Sequence, residues 1–367
     1  MAGIYIHIPF CKSRCIYCGF YSTTRSELRQ RYVDALCREL QMRGDYLKKE
    51  PVHTIYIGGG TPSQLSPAQM QQLFQALDTT HAEEVTIECN PDDLTPQYVE
   101  ALGQLPVNRV SMGAQTFSNE RLRFLRRRHS ASQVLEAVRL LRQVGIRNIS
   151  IDLMYGFPEE TIDDWHRDID LALALNVEHI SAYSLMYEEC TPLYQLLEQG
   201  KVHEVDEELS LQMYSDLIDR LCQNGYEHYE ISNFAKAGYR SRHNSSYWNQ
   251  TPYLGIGAAA HSFDGNSRQW NVSDIDLYIR GIEQGEPDFE REELDTDTRY
   301  NDMVMTALRT CEGLDLSILT PEHQSYCTEQ ASRFITDGLL TLRDNHLVLT
   351  RRGLFVSNMV MSELMAV

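Results

Sequence analysis

Residues 4–20 read Ile4-Tyr5-Ile6-His7-Ile8-Pro9-Phe10-Cys11-Lys12-Ser13-Arg14-Cys15-Ile16-Tyr17-Cys18-Gly19-Phe20. Ile4, Ile6 and Ile8 alternate with Tyr5 and His7, the period of a strand with two unlike faces. Past the cysteine loop, Leu28, Tyr32, Ala35, Leu36, Glu39 and Leu40 recur at helical spacing within residues 27–47. This strand–loop–helix unit repeats. Strands at 54–57, 85–88, 109–112 and 148–153 lead to helices near 67–77, 96–102, 132–144 and 161–175, and a strand at 179–183 leads to helical sequence ending near Asn224-Gly225. Six such units in succession specify a parallel sheet with helices outside, and right-handed crossovers leave a barrel or a doubly wound sheet. In both, ligands sit at the carboxyl ends of the strands.

The residues at those ends are not apolar. Cys11, Cys15 and Cys18 follow the first strand as CxxxCxxC, and three thiolates on one loop can hold three irons of a [4Fe-4S] cluster, leaving the fourth open. Zinc is the competing metal, but structural zinc takes four N/S ligands and no second CxxC pair is present. Unligated core cysteines fit poorly beside Lys12, Ser13, Arg14 and Gly19. Gly58-Gly59-Gly60-Thr61-Pro62 follows the second strand, where glycines either make a tight turn or let backbone approach a ligand. Glu88, Gln115 and Asp152 end the next three. A strand-end acid is often a helix cap, yet together they suit the amino and hydroxyl groups of a nucleoside ligand. Arg127, in the basic run Arg121 to Arg128, suits its carboxylate; the run reads equally as a solvated helix end.

A chain of 367 residues allows one large domain and a smaller one, and a net charge of −19 argues against a nucleic-acid partner. No secretory signal and no apolar run of membrane-spanning length stands out, so the cytoplasm is the expected compartment. Cys37, Cys89, Cys190, Cys222, Cys311 and Cys327 lack any framework spacing, which predicts reduced, mostly buried thiols, with Cys222 packed from a helix. From about Asp274 the alternation is expected to stop, with residues 283–297 an acidic linker. Helices at 297–310 and 321–336, a hairpin around Arg343-Asp344-Asn345 and a final helix capped by Thr350 then suggest a winged-helix-like unit, used here as a lid or docking module because it has no basic recognition face.

The loop CxxxCxxC with Tyr17 before its last cysteine, together with the triple glycine, resembles the radical S-adenosylmethionine (SAM) superfamily. That resemblance implies SAM bound to the open iron through its amino and carboxylate groups and, on one-electron reduction, a 5′-deoxyadenosyl radical. More narrowly, Ile6 to Cys11, Gly58 to Pro62, Ile151-Asp152-Leu153-Met154-Tyr155-Gly156 and Leu254-Gly255-Ile256-Gly257 are similar to the oxygen-independent coproporphyrinogen III oxidase family. The resemblance implies an α/β fold, a partial (β/α)6 TIM-type barrel followed by a smaller α+β, winged-helix-like domain. It divides the chain into residues 1–230, a connecting region 231–285 and a C-terminal domain 286–367. It also implies SAM contacts from Tyr5, Tyr17, Gly59, Gly60, Thr61, Glu88, Gln115, Arg127, Asp152 and His261, some of which would belong to a second SAM site.

Two departures shift the expected function. The decarboxylating oxidases carry CxxxCxxCxC, whereas this chain has Cys18-Gly19-Phe20, and it begins almost directly on its first strand where the oxidases carry an extension. His243-Asn244-Ser245-Ser246-Tyr247-Trp248 matches the HNxxYW motif of the heme-chaperone, HemW-like branch. By chemistry alone, His243 can ligate heme iron while Tyr247 and Trp248 offer flat faces, or the three form a loop histidine beside a buried aromatic pair. The resemblance implies a protein that binds heme as cargo beside a SAM-ligated cluster, passes it to an acceptor protein, membrane-associated or not, and lacks oxidase activity. An electron donor and a homodimer belong to the same expectation. The alternative is a radical SAM enzyme, either decarboxylating coproporphyrinogen III or acting on another substrate.

Overall fold

Strands β1 (Ala2–Ile8), β2 (Val52–Gly59), β3 (Glu84–Cys89), β4 (Arg109–Gln115), β5 (Asn148–Tyr155) and β6 (His179–Ser184) pair in sequence order and all in parallel. The computed structural model describes residues 2–48 and 50–366. Between the strands run α1 (Arg29–Met42), α2 (Pro67–Gln75), α3 (Pro96–Leu102), α4 (Asn119–Phe124), α5 (Ala131–Gln143) and α6 (Ile162–Leu175). Ser66, Thr95, Ser118 and Thr161 start four of these helices, each hydroxyl accepting a first-turn backbone N–H. Right-handed crossovers between strands in unbroken order place every helix on one face, so the sheet curls into a partial (β/α)6 barrel. A doubly wound sheet would need the order to reverse.

The period-two pattern sorts the strands' side chains. Ile4, Ile6, Ile55, Ile57, Ile87, Val110, Ile149, Ile151 and Ile180 lie in the large core shared with the helices. Alternate positions therefore face the concave side, and they are Tyr5, His7, Thr54, Tyr56, Thr86, Glu88, Arg109, Ser111, Ser150, Asp152, His179 and Ser181. Closed barrels of this class fill their interior with branched aliphatic side chains; this interior is polar.

After β6 come α7 (Pro192–Glu198) and α8 (Glu207–Gln223), then β7 (Glu227–Glu230), β8 (Asn233–Ala235), α9 (Arg242–Trp248), β9 (Tyr253–Ile256), β10 (His261–Phe263), β11 (Ser267–Asn271), α10 (Ile275–Gln284) and β12 (Phe289–Glu293). Among the described residues these strands extend the sheet to twelve, in the order β12-β11-β10-β9-β1-β2-β3-β4-β5-β6-β8-β7. Two expectations are corrected here. Alternation does not stop at Asp274, since α10 follows directly, and residues 283–297 are not a linker, since Phe289–Glu293 pairs antiparallel with β11 as an exposed edge strand. Charges hid that strand, because an edge left in solvent carries no apolar alternation. The expected connecting region supplies β8 to β11.

The last part is built of α11 (Thr296–Ala307), β13 (Leu314–Asp315), α12 (Pro321–Thr336), β14 (Leu340–Arg343), β15 (His346–Leu349), α13 (Arg351–Leu354) and α14 (Ser357–Leu364). Asp344 and Asn345 have φ of 45° and 66°, the left-handed pair of a tight hairpin. Tyr300, Val304, Leu308, Phe334, Leu347 and Val360 form a core of their own. This unit meets the barrel at β7 and α8, where Arg309 pairs with Glu230 at 2.7 Å and Arg351 with Asp219 at 3.0 Å. The remaining cysteines are all unpaired, but only Cys89 and Cys327 are buried. Cys190, Cys311 and Cys222 are exposed, so Cys222 does not pack as expected.

Candidate functional site

The cysteine loop is fastened at both ends and in the middle. Cys11 N donates to Thr23 O at 2.8 Å and Thr23 N to Pro9 O at 2.7 Å. Between Cys15 and Cys18, Ile16 sinks into a small apolar cluster with Leu125, Phe157, Leu185 and Leu193. An apolar residue inside a polar loop thus anchors the stretch between Cys15 and Cys18. Arg127 leaves α4's trailing turn to reach the thiols. Its Nη1 lies 3.6 Å from Cys15 Sγ, and its Nη2 donates to Asn90 Oδ1 and to Gly113 O, each at 2.7 Å. Asn90 Nδ2 donates to Thr61 Oγ1 at 3.4 Å, and that hydroxyl sits 3.5 Å from Cys11 Sγ. A polar chain therefore runs from Cys11 through Thr61, Asn90 and Arg127 to Cys15.

The cradle accommodates the implied groups. Arg127 Nε is buried with no hydrogen-bond partner among the described residues, a donor left for a ligand's carboxylate. At Gly113 a Cβ would stand 2.7 Å from Gln115 Nε2 and 2.9 Å from Arg127 Nη2, so a side chain there would push both tips from where they lie. Gly59 has φ of +111°, and a Cβ there would meet the His7 ring at 2.6 Å. The glycine run's N–H groups are spent internally, however: Gly59 N donates to Glu88 Oε2 at 3.0 Å and Gly60 N to Ile8 O at 2.9 Å. Among the described residues, no three His, Cys, Asp or Glu side chains converge as they would on a single metal ion. A cluster spreads its thiolates over separate irons.

Two carboxyls face the interior below the thiols. Glu88 accepts from Tyr56 Oη at 2.7 Å, and burial pushes it up to about 7. Asp152 accepts from Ser111 Oγ at 3.5 Å, and burial pushes it to about 6. Each is poised near neutrality and, once ionised, can accept from a ligand's amino or hydroxyl groups. Gln115 ends β4 in a left-handed turn with φ of 66°. Tyr5 bonds His7 Nδ1 at 3.0 Å, and Tyr17 directs its hydroxyl at Cys15. His261 stands apart: it is exposed on β10, its ring stacked on Trp270 at 5.9 Å. Two other members of the basic run pair with carboxylates, Arg121 with Asp164 at 2.8 Å and Arg128 with Asp92 at 2.8 Å, while Arg123 and Arg126 are exposed, as a solvated helix end would be. Asn90 was not foreseen, because its Asn90-Pro91 step reads as an ordinary turn.

The HNxxYW motif lies at the opposite end of the barrel. It forms α9 rather than a loop, started by Ser241 and held under the strands' amino ends by Glu84. The two Glu84 oxygens accept from Arg242 N and His243 N, each at 2.9 Å. His243 is 1% exposed, with Nδ1 on Thr54 Oγ1 and Nε2 on Tyr247 Oη, both at 2.9 Å. Its ring stacks on Tyr56 at 5.2 Å, and burial pushes its basicity down to about 3. Trp248 packs edge-on against Tyr229 at 6.0 Å. The structure thus brings Cys11, Cys15, Cys18, Tyr17, Thr61 and Arg127 together, and sets His243, Tyr247 and Trp248 apart from them.

A family model described as the radical SAM superfamily matches residues 5–172, and another described as the HemN C-terminal domain matches residues 294–356. "Heme chaperone HemW" of Bacillus subtilis (strain 168) is 33% identical over 98% of both chains. The Mycobacterium tuberculosis (strain ATCC 25618 / H37Rv) protein of the same name is 32% identical over 99% of this chain and 94% of its own. Among solved structures, the coproporphyrinogen III oxidase (HemN) of Escherichia coli, a radical SAM enzyme, superimposes with a TM-score of 0.85 over 100% of this chain and 90% of that one, at 22% identity, a likeness of fold. On kinship that runs from one end to the other, the chain belongs to the HemW heme chaperone family, a branch of the oxygen-independent coproporphyrinogen III oxidase family within the radical SAM superfamily.

Proposed function

We propose that the protein carries heme and passes it to an acceptor protein, while Cys11, Cys15 and Cys18 hold a [4Fe-4S] cluster whose open iron takes SAM. When bound, that pair supplies reductive cleavage of SAM, with the electron coming from a donor protein. The chain's own residues bind and orient: Arg127 Nε offers a hydrogen bond to the SAM carboxylate, and Glu88 and Asp152, once ionised, accept from its amino and hydroxyl groups. The observation that carries the choice between chaperone and decarboxylase is Phe20. It is 72% exposed, an apolar surface beside the loop where the decarboxylating branch has a fourth cysteine.

Heme ligation by His243 requires α9 to give ground, because both ring nitrogens are bonded in the resting chain. Heme titration of wild type, His243→Ala and Thr54→Val tests this. The Soret band should weaken in His243→Ala and form at lower heme in Thr54→Val, which removes one competitor for the ring. An unchanged band in His243→Ala removes His243 as the ligand. Anaerobic protein given reductant, SAM and coproporphyrinogen III should yield no protoporphyrinogen IX; its appearance would overturn the chaperone reading.

A further inference from the structure

Arg109 is a buried charge near enough to Glu88, Asp152 and His243 to act on all three electrostatically. It opens β4 on the concave face, is 1% exposed, and its Nε and Nη1 have no hydrogen-bond partner among the described residues. Its neighbours share that condition. Thr86 on β3, in register with Arg109, is fully buried with Oγ1 unpartnered, and Asn148 on β5, in register on the other side, buries an unpartnered side-chain oxygen. Adjacent strands lie about 4.8 Å apart. Three of them thus present a guanidinium, a hydroxyl and an amide in one row, with four buried polar atoms that have no hydrogen-bond partner among the described residues.

Buried polar groups are nearly always satisfied, and an unpaired guanidinium is the costliest of the three to leave bare. The nearby carboxylates do not close the account: Glu88 is bonded to Tyr56 and Gly59, and Asp152 to Ser111. A guanidinium fork matches the two oxygens of a carboxylate, a hydroxyl adds a donor, and an amide can turn its N–H2 toward the same anion. The row also lies close to α9, since Thr86 is in register with Tyr56, on which the His243 ring stacks at 5.2 Å.

We infer that Arg109, Thr86 and Asn148 form a carboxylate-binding row on the barrel floor, and that, resting on the heme reading above, the carboxylate it takes is a propionate of the heme that His243 ligates. Two readouts on the full-length protein with its cluster reconstituted test this: thermal melts in sodium propionate against sodium chloride at equal ionic strength, and Soret titrations with heme and with heme dimethyl ester.

Propionate should raise the wild-type Tm above the chloride control, and the shift should vanish in Arg109→Met. Heme should bind wild type about tenfold tighter than its ester, a charge-assisted hydrogen bond's worth, and about equally in Arg109→Met. Thr86→Val should lower the ratio partway, and it decides the matter if Arg109→Met misfolds. An equal propionate shift in wild type and variants, or no shift together with an unchanged heme-to-ester ratio, overturns the row. A ratio that collapses without a propionate shift assigns the row to heme's carboxylate alone. A shift lost with the ratio unchanged keeps the carboxylate row and overturns heme as its source. No Soret band in wild type defeats the heme reading itself, and the propionate melts still judge the row.

Discussion

At the carboxyl ends of the barrel strands, Arg127 holds a bare Nε beside three thiols; at the amino ends, His243 has both ring nitrogens bonded, to Thr54 and Tyr247. The first end is preorganised, with donors and near-neutral carboxyls already aimed at one place, so a ligand there needs little rearrangement. The second is closed by a seven-residue helix held on one glutamate, so any ligand there must first displace protein. One end waits for its occupant and the other must be opened for it.

The largest break in this contrast is chemical. Cys11→Ala, Cys15→Ala or Cys18→Ala should each abolish the visible absorption of the reconstituted cluster, while the buried Cys89→Ala keeps it. Cluster retention in any of the three would end the assignment.

A pH series separates the two ends by sign. Burial raises Glu88 from 4.5 to about 7, so its contribution to stability is whole below about 4.5 and is lost as pH rises toward 7, on the order of 3 kcal/mol. Burial lowers His243 from 6.5 to about 3, so its contribution is whole above 6.5 and is lost as pH falls toward 3. Denaturant titrations across that range should therefore lose the decline between about pH 4.5 and 7 in Glu88→Gln and part of the acid-side decline in His243→Asn. Matching pH profiles for wild type and both variants would remove the contrast.

Glu84→Ala should cost about 2 kcal/mol, because it strips two first-turn N–H groups of α9, one of them fully buried, of their acceptor. A fall in the urea midpoint at constant m-value checks it, and a neutral result would mean α9 is held by its aromatic contacts instead. Smallest of all, Phe20→Ser should change stability by less than about 0.5 kcal/mol, since the ring is mostly in solvent. A larger loss would show that Phe20 packs as part of the cysteine loop.

The first six strands are legible because parallel strands packed under helices keep Ile and Val on one face, and their polar partners fall at alternate positions. The cluster ligands are legible because they are adjacent in sequence. Asn90 and Arg109 are not, since each acts through neighbours on other strands, Asn90 bridging Thr61 to Arg127 and Arg109 sharing a row with Thr86 and Asn148. The motif at His243 is visible as a string, but its seat under the barrel depends on Glu84, far away in the chain. Strands β8 and β10, three residues each, are too short for any period to show.

The charged strand Phe289–Glu293 has a consequence for self-association. At the far edge, the C-terminal unit stops further pairing beyond β7: Ile231 N donates to Arg309 O and Cys311 N to Tyr229 O, both at 3.1 Å. The sheet can therefore recruit another strand only beyond Phe289–Glu293, where Glu290, Arg291, Glu292 and Glu293 meet the incoming backbone. Four consecutive ionised side chains make that edge a poor template, so a sheet of this breadth resists growing from molecule to molecule.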